Sequence, residues 1–219
     1  MTAIRHRGFA NRFILFVLIA ALAGGLGLLL AQRLFNPAPV IPTTLALKSV
    51  RLIDPARPLP AFRLIRSDGS ELTSASLRGH WTLIFLGFTH CPDVCPTTLA
   101  SLAKAQNAWE TVPEGQRPRL LFVSVDPDRD TPKILGDYSH YFHPATIAAT
   151  AKEPALGEFA RSLGLVYMKV LQANGDYAMD HSATMVLLDP QGRQAGLIRP
   201  PLMPDAIAAD LALLAERRP

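Results

Sequence analysis

Two apolar runs dominate the chain, and they call for different surroundings. Phe13–Ala31 is 19 residues without a charge, which as a helix spans about 28 Å and matches a bilayer core. Trp81–Phe88 is far shorter, and its apolar residues run without alternation, as a strand covered on both faces requires. Leu120–Val125 repeats that pattern, and Thr97–Glu110 between them places Leu99, Leu102, Ala103 and Trp109 at helical spacing. Together these predict a βαβ unit. Ala61–Arg66 and Glu71–Leu72 flank an Asp68-Gly69 turn and predict a hairpin, with Ser76–Gly79 as connector. Asp126–Pro132 opens a helix through Tyr141, with Thr131 or Asp130 as cap and Pro132 at its first position. Then come a short helix over Glu153–Leu163, a strand over Leu165–Val170 and a polar loop over Gln172–Asp180. Thr184–Leu188 and Ala195–Ile198 read as a hairpin, Asp205–Arg217 as a closing amphipathic helix, and no internal repeat is present.

This order of elements is the thioredoxin-like one: an α/β fold whose central sheet is flanked by helices, with an N-terminal β-hairpin, here preceded by one transmembrane helix. Residues 1–12 form a cytoplasmic N-terminus, 13–31 the anchor, 32–60 a tether and 61–219 the domain. Asn36–Pro60 is rich in proline and reads as an extended tether without a fold of its own. Net charge is +4, yet Arg5, Arg7, Arg12 and Arg33 hold the surplus, leaving 18 basic and 18 acidic residues after them. That distribution removes nucleic acid as a partner. Three arginines before the apolar run and one after it put the N-terminus in the cytoplasm and the domain across the membrane. The run exceeds a cleavable signal's h-region, and too few residues precede it for a transit peptide. The expected address is a bacterial inner membrane, single-pass, with a periplasmic domain.

The only two cysteines lie in Gly87-Phe88-Thr89-His90-Cys91-Pro92-Asp93-Val94-Cys95-Pro96, at the strand-to-helix junction of the βαβ unit. Chemistry gathers at such junctions. Pro96 suits a helix's first position, which would make Cys95 the cap and lower its thiol pKa through the helix dipole. A start at Pro92 would instead set the cysteines one turn apart, close enough for a disulfide or for a shared metal. The spacing leaves that choice open. A disulfide over so short a loop adds little stability, so a reactive site is the better reading than a staple.

Six histidines are available as a third ligand. His6 precedes the membrane run; His80, His140 and His143 lie on a loop or near a helix end; His90 adjoins Cys91 and lines the site. His181, in Met179-Asp180-His181-Ser182-Ala183-Thr184, falls where a thioredoxin-like sheet faces the cysteine turn. Two thiolates and one imidazole suit copper(I), whereas a closed zinc site wants a fourth ligand. Asp180 is a candidate to orient the imidazole. The Asp126, Asp128 and Asp130 series lacks a calcium loop's glycine and reads as turn and cap.

With Val123-Ser124-Val125-Asp126-Pro127-Asp128-Arg129-Asp130-Thr131-Pro132 and Asp180-His181-Ser182-Ala183, the cysteine motif closely resembles the Sco/SenC family of membrane-anchored copper proteins. The resemblance covers about Ala61 to the last helix. It implies Cys91, Cys95 and His181 as copper ligands, for Cu(I) and also Cu(II), and assembly of the dinuclear copper centre of cytochrome c oxidase subunit II. A periplasmic copper donor and a thioredoxin-like reductant are the further partners it implies. The chain departs from general thioredoxins in having Cys-x-x-x-Cys and no proline near Ala183. The leading reading is a metallochaperone rather than an enzyme. The alternative is a thiol:disulfide oxidoreductase that uses Cys91 and Cys95 as a redox pair to reduce the oxidase subunit's cysteines. A peroxidase and a purely structural tethered domain are the other readings.

Overall fold

Thr82–Gly87 is buried at every position, as its unalternating apolar sequence demands, and the rest of the domain is laid out from it. The computed structural model describes residues 7–35, 46–173 and 175–217. The chain divides into two units, residues 1–46 and 47–219. In the first, α1 (Arg7–Phe35) is a continuous helix. Its side chains are described at 14–28 and 31, where the large apolar ones are exposed. Among the described residues no helix is long and apolar enough to cross a membrane; those side chains cover less than the Phe13–Ala31 run on which the anchor expectation rests.

The second unit holds strands β1 (Val50–Arg57), β2 (Arg63–Arg66), β3 (Glu71–Thr73), β4 (Thr82–Gly87), β5 (Arg119–Ser124), β6 (Ile147–Thr150), β7 (Tyr167–Leu171), β8 (Tyr177–His181), β9 (Met185–Leu188) and β10 (Gln194–Ile198). Eight form one mixed sheet, in the order β1-β10-β9-β4-β5-β6-β2-β3, and β7 and β8 form a separate ribbon. Strand β4 is central, parallel to β5 and antiparallel to β9. The helices are α2 (Val94–Trp109), α3 (Pro132–Phe142), α4 (Ala155–Ser162) and α5 (Pro204–Glu216). Indole N–H groups tie α5 in place: Trp81 donates to the Leu214 carbonyl (3.0 Å) and Trp109 to that of Ala208 (3.3 Å).

The predicted hairpin is β2–β3, and Pro132 opens α3 with Thr131 as its cap, Oγ1 accepting from the Ile134 N–H at 3.4 Å. Two expectations are corrected, and one strand is added. Val50–Arg57 is not tether but an edge strand paired with β10, and its start is fixed by the buried Asp210 carboxylate, which accepts from the N–H groups of Lys48, Ser49 (2.7 Å) and Val50 (2.9 Å). Residues 36–45 of the expected tether lie outside the described residues. Part of the expected polar loop, Tyr177–Asp180, belongs to β8. Strand β6 is an element that the apolar pattern did not announce.

His143, buried after α3, accepts at Nδ1 from the Ala145 N–H (3.2 Å). Burial holds its pKa below the ordinary imidazole value, with Glu110 opposing in part. Protonation would have to displace the Ala145 bond, so the fold keeps the ring neutral. The unfolded chain takes up this proton near pH 6.5 and the folded chain only at lower pH. The contribution is therefore whole above that pH and is lost as pH falls towards the folded value, at up to about 1.4 kcal/mol per pH unit. Denaturant midpoints are expected to fall between pH 7 and pH 5, and the difference to shrink in His143→Asn.

Candidate metal centre

Strand β4 ends at Gly87, and the chain turns there into α2 with both cysteines. A Cβ on Gly87 would stand 2.7 Å from Phe122 Cε2 and 2.9 Å from Cys95 Sγ. The buried Phe122 ring cannot yield, so only glycine lets the strand approach the sulfur. Helix α2 begins at Val94 with Asp93 at its N-cap position, so Cys95 is its second residue and Pro96 its third. The expectation of Cys95 as cap is corrected. Proline is accepted there because first-turn N–H groups have no intrahelical partner.

Cys95 is fully buried and Cys91 partly exposed; both are free thiols. Burial pushes the Cys95 thiol well up, against a lowering by the Phe88 backbone. The expected lowering is overturned, because desolvation outweighs the helix terminus. The Cys91 sulfur turns back onto the helix and accepts from the Cys95 N–H at 3.4 Å.

His181 closes β8, and its Nε2 lies 3.7 Å from Cys95 Sγ. Nδ1 faces the Ser182 carbonyl at 3.2 Å, so Nδ1 carries the proton and Nε2 presents a lone pair towards the sulfur. The orienting partner is thus that carbonyl and not the Asp180 carboxylate. Phe85 and Phe88 meet the ring edge-on, with centroids at 6.1 and 6.2 Å. Burial lowers the imidazole pKa, and the ring is neutral at pH 7, the form that ligates. Cys95 and His181 therefore meet directly. Cys91 is one turn away, and among the described residues the three candidate ligand atoms do not all lie within 4.8 Å of one another.

The group that does meet that distance is His90, Asp126 and Asp130. Its carboxylates are already engaged. Asp130 accepts from the Thr89 N–H (2.9 Å), Thr89 Oγ1 (2.5 Å) and Ser124 Oγ (2.5 Å), and so stitches the cysteine loop to the end of β5. Asp126 accepts from Arg129 Nε (2.5 Å) and the Tyr177 hydroxyl (2.9 Å). These contacts form a hydrogen-bond network around the turn after β5, and the helix cap is Thr131. His80, His140 and His143 lie outside the cysteine site; His80 and His143 bond the 117 and 145 backbones.

Tyr177 went unnoticed in the sequence. Arg129 Cζ sits 3.7 Å and Lys169 Nζ 4.1 Å from its ring centroid, Arg129 Nη1 donates to its carbonyl (3.1 Å), and Lys169 pairs with Asp128 at 2.9 Å. The ribbon that carries His181 is thereby latched to the turn after β5. The signal was present as an aromatic between charges in a segment otherwise read as loop.

A thiol pair at a strand-to-helix junction, faced by an imidazole from a neighbouring ribbon on a thioredoxin-like sheet, defines a thiol-and-imidazole protein suited to a soft metal. The SCO1/SenC family model matches residues 52–216. The chain belongs to the SCO1/SenC family. The mitochondrial protein SCO1 homolog 1 of Arabidopsis thaliana is 40% identical over 136 residues, 59% of this chain and 39% of that protein, so the match spans well under half the relative's length. The crystal structure of Arabidopsis thaliana ScoI with copper bound superposes with a TM-score of 0.67 at 34% identity, covering 72% of this chain and 98% of that one. Bradyrhizobium japonicum ScoI with copper bound gives 0.65 at 35% identity, over 71% and 98%.

Proposed function

We propose that this protein is a membrane-anchored metallochaperone that binds copper through Cys91, Cys95 and His181 and passes it to the dinuclear copper centre of cytochrome c oxidase subunit II. The observation that carries the reading is the 3.7 Å approach of a deprotonated imidazole nitrogen to a buried sulfur. The family relatives solved with copper bound support it. Loading Cu(I) expels the Cys95 proton, and Cys91, the more exposed thiol, is the group from which an incoming ligand would take the ion. Phe13–Ala31 anchors the chain in a bacterial inner membrane, with residues 1–12 in the cytoplasm and the domain in the periplasm, supported by its uncharged length and the arginines before it. A periplasmic copper donor fills the site, and a thioredoxin-like partner keeps the thiols reduced.

The unequal exposure of the cysteines favours a second reading, thiol:disulfide exchange, with Cys91 attacking and Cys95 resolving. In cells carrying only Cys91→Ser/Cys95→Ser protein, subunit II is expected to be recovered without copper and with its own cysteines reduced. Oxidised subunit II cysteines would transfer the role to the second reading, and normally metallated subunit II would sink both.

A further inference from the structure

We propose that a cavity at the end of the sheet remote from the cysteines binds a phosphate group through Arg66 and Arg119. The cavity, about 430 Å³, is lined by these arginines together with Trp109, His143, Ile147 and a third arginine, Arg117, whose guanidinium already donates to the Val112 (3.3 Å) and Glu110 (2.9 Å) carbonyls. Arg119 opens β5, which runs parallel to β4. Cys91 follows the other end of β4, so about 20 Å of strand separates the two places. The inference is thus independent of the copper reading.

Arg66 and Arg119 are both partly buried, and among the described residues no carboxylate lies within 4.0 Å of either. Glu110 and Glu114 also line the cavity, but both are exposed, and among the described residues the Glu110 carboxylate pairs only with His143, at 3.9 Å. Arg119 is aimed by a neutral group. His80 Nδ1 faces the Arg117 carbonyl at 2.9 Å and so donates, which leaves Nε2 to accept from Arg119 Nη2 at 2.7 Å. His80 orients the guanidinium without cancelling its charge. Burial and the Arg66 charge both push the Arg119 pKa below its ordinary value. A cation drawn partly out of water gains from an anionic partner, and these two instead repel one another across an open cavity. His143 adds a donor there, because its Nδ1 accepts from Ala145 and the proton is on Nε2.

Two guanidiniums call for two negative charges on one group. A phosphate supplies both, with enough oxygens to meet two forks, whereas a monocarboxylate matches one. The phosphate could be free or a lipid headgroup that ends in a phosphomonoester, as in phosphatidic acid, and the test separates these sources.

Full-length protein in detergent micelles, free of phosphate, is titrated with inorganic phosphate and with acetate at matched ionic strength; a second arm uses vesicles of phosphatidylcholine with and without phosphatidic acid. Phosphate is expected to saturate one site and raise the unfolding temperature, with acetate far weaker. Arg119→Lys keeps the charge but loses the fork, so affinity should fall by at least about tenfold; Arg66→Gln should fall similarly, and Arg57→Gln not at all. Without phosphate, Arg66→Gln should unfold no earlier than the wild type, because repulsion has been removed. Binding to vesicles containing phosphatidic acid that is lost in Arg119→Lys, without binding of inorganic phosphate, assigns the headgroup as source. Equal binding by Arg119→Lys and wild type, or no saturable binding in either arm, overturns the proposal.

Discussion

His181→Ala is expected to lower the Cu(I) affinity of the reduced protein by more than about 100-fold, beyond the range typical of outer-shell partners, while both thiols still react with a thiol reagent. The physical reason lies in what each ligand must surrender. The Cys95 thiol is held protonated by burial, so the ion has to displace a proton there. His181 Nε2 is already a lone pair 3.7 Å from that sulfur, its tautomer set by the Ser182 carbonyl. It is the one proposed ligand that needs no deprotonation, and without it a buried sulfur and a half-exposed one would have to hold the ion alone. Competition titration against a Cu(I) chelator of known affinity reads the change. The same variant separates the two functional readings, because thiol:disulfide exchange uses only the sulfurs. Unchanged copper affinity would remove His181 from the site; reduced disulfide exchange alongside lost copper would place the imidazole in the thiol chemistry as well.

How far the sequence reveals this arrangement depends on how local each determinant is. Strands β4 and β5 are legible because both faces are covered, so nearly every position is apolar. Thr131-Pro132 marks the start of α3 because cap and first position are set by neighbouring residues. By contrast, β1 is an edge strand with most positions exposed and Pro55 within it, so its composition matches a tether; it is a strand because β10 and the Asp210 carboxylate make it one. Ile147-Ala148-Ala149-Thr150 is too short and too alanine-rich to register as β6 without β5 and β2 on either side. The start of α2 is undecidable locally, since Pro92, Val94 and Pro96 all suit a first turn. That ambiguity also hid the thiol chemistry. Helix dipole and burial pull the Cys95 pKa in opposite directions, and only packing under β4 and Phe122 shows that burial prevails. His181 is legible as a candidate from its order along the chain, whereas the groups that latch its ribbon come from the turn after β5 and from β7.

Tyr177 is the test of that last point. Its ring lies under two cations, its hydroxyl donates to the buried Asp126, and it stands at the opposite end of β8 from His181. Among the described residues strands β7 and β8 pair only with each other, so this latch and the Ser182–Val166 bonds (3.0 Å) join the Phe85 and Phe88 rings in setting where the imidazole stands. Each cation–π contact is worth about 0.5–2 kcal/mol, enough to bias a ribbon that is not part of the main sheet. Tyr177→Ala is therefore expected to weaken Cu(I) binding about tenfold, the lower end of what outer-shell partners contribute, and to speed amide exchange in β7 and β8. The midpoint of global unfolding should move little. Tyr177→Phe keeps the ring but loses the Asp126 bond, so it should fall between the two. The discriminating measurement is the double variant. If Tyr177 acts by holding His181, removing it costs no further copper affinity once His181 is alanine, and the two losses are not additive. Additive losses would mean that Tyr177 supports the cysteine side of the site through Asp126 instead, and that the ribbon holds His181 without it.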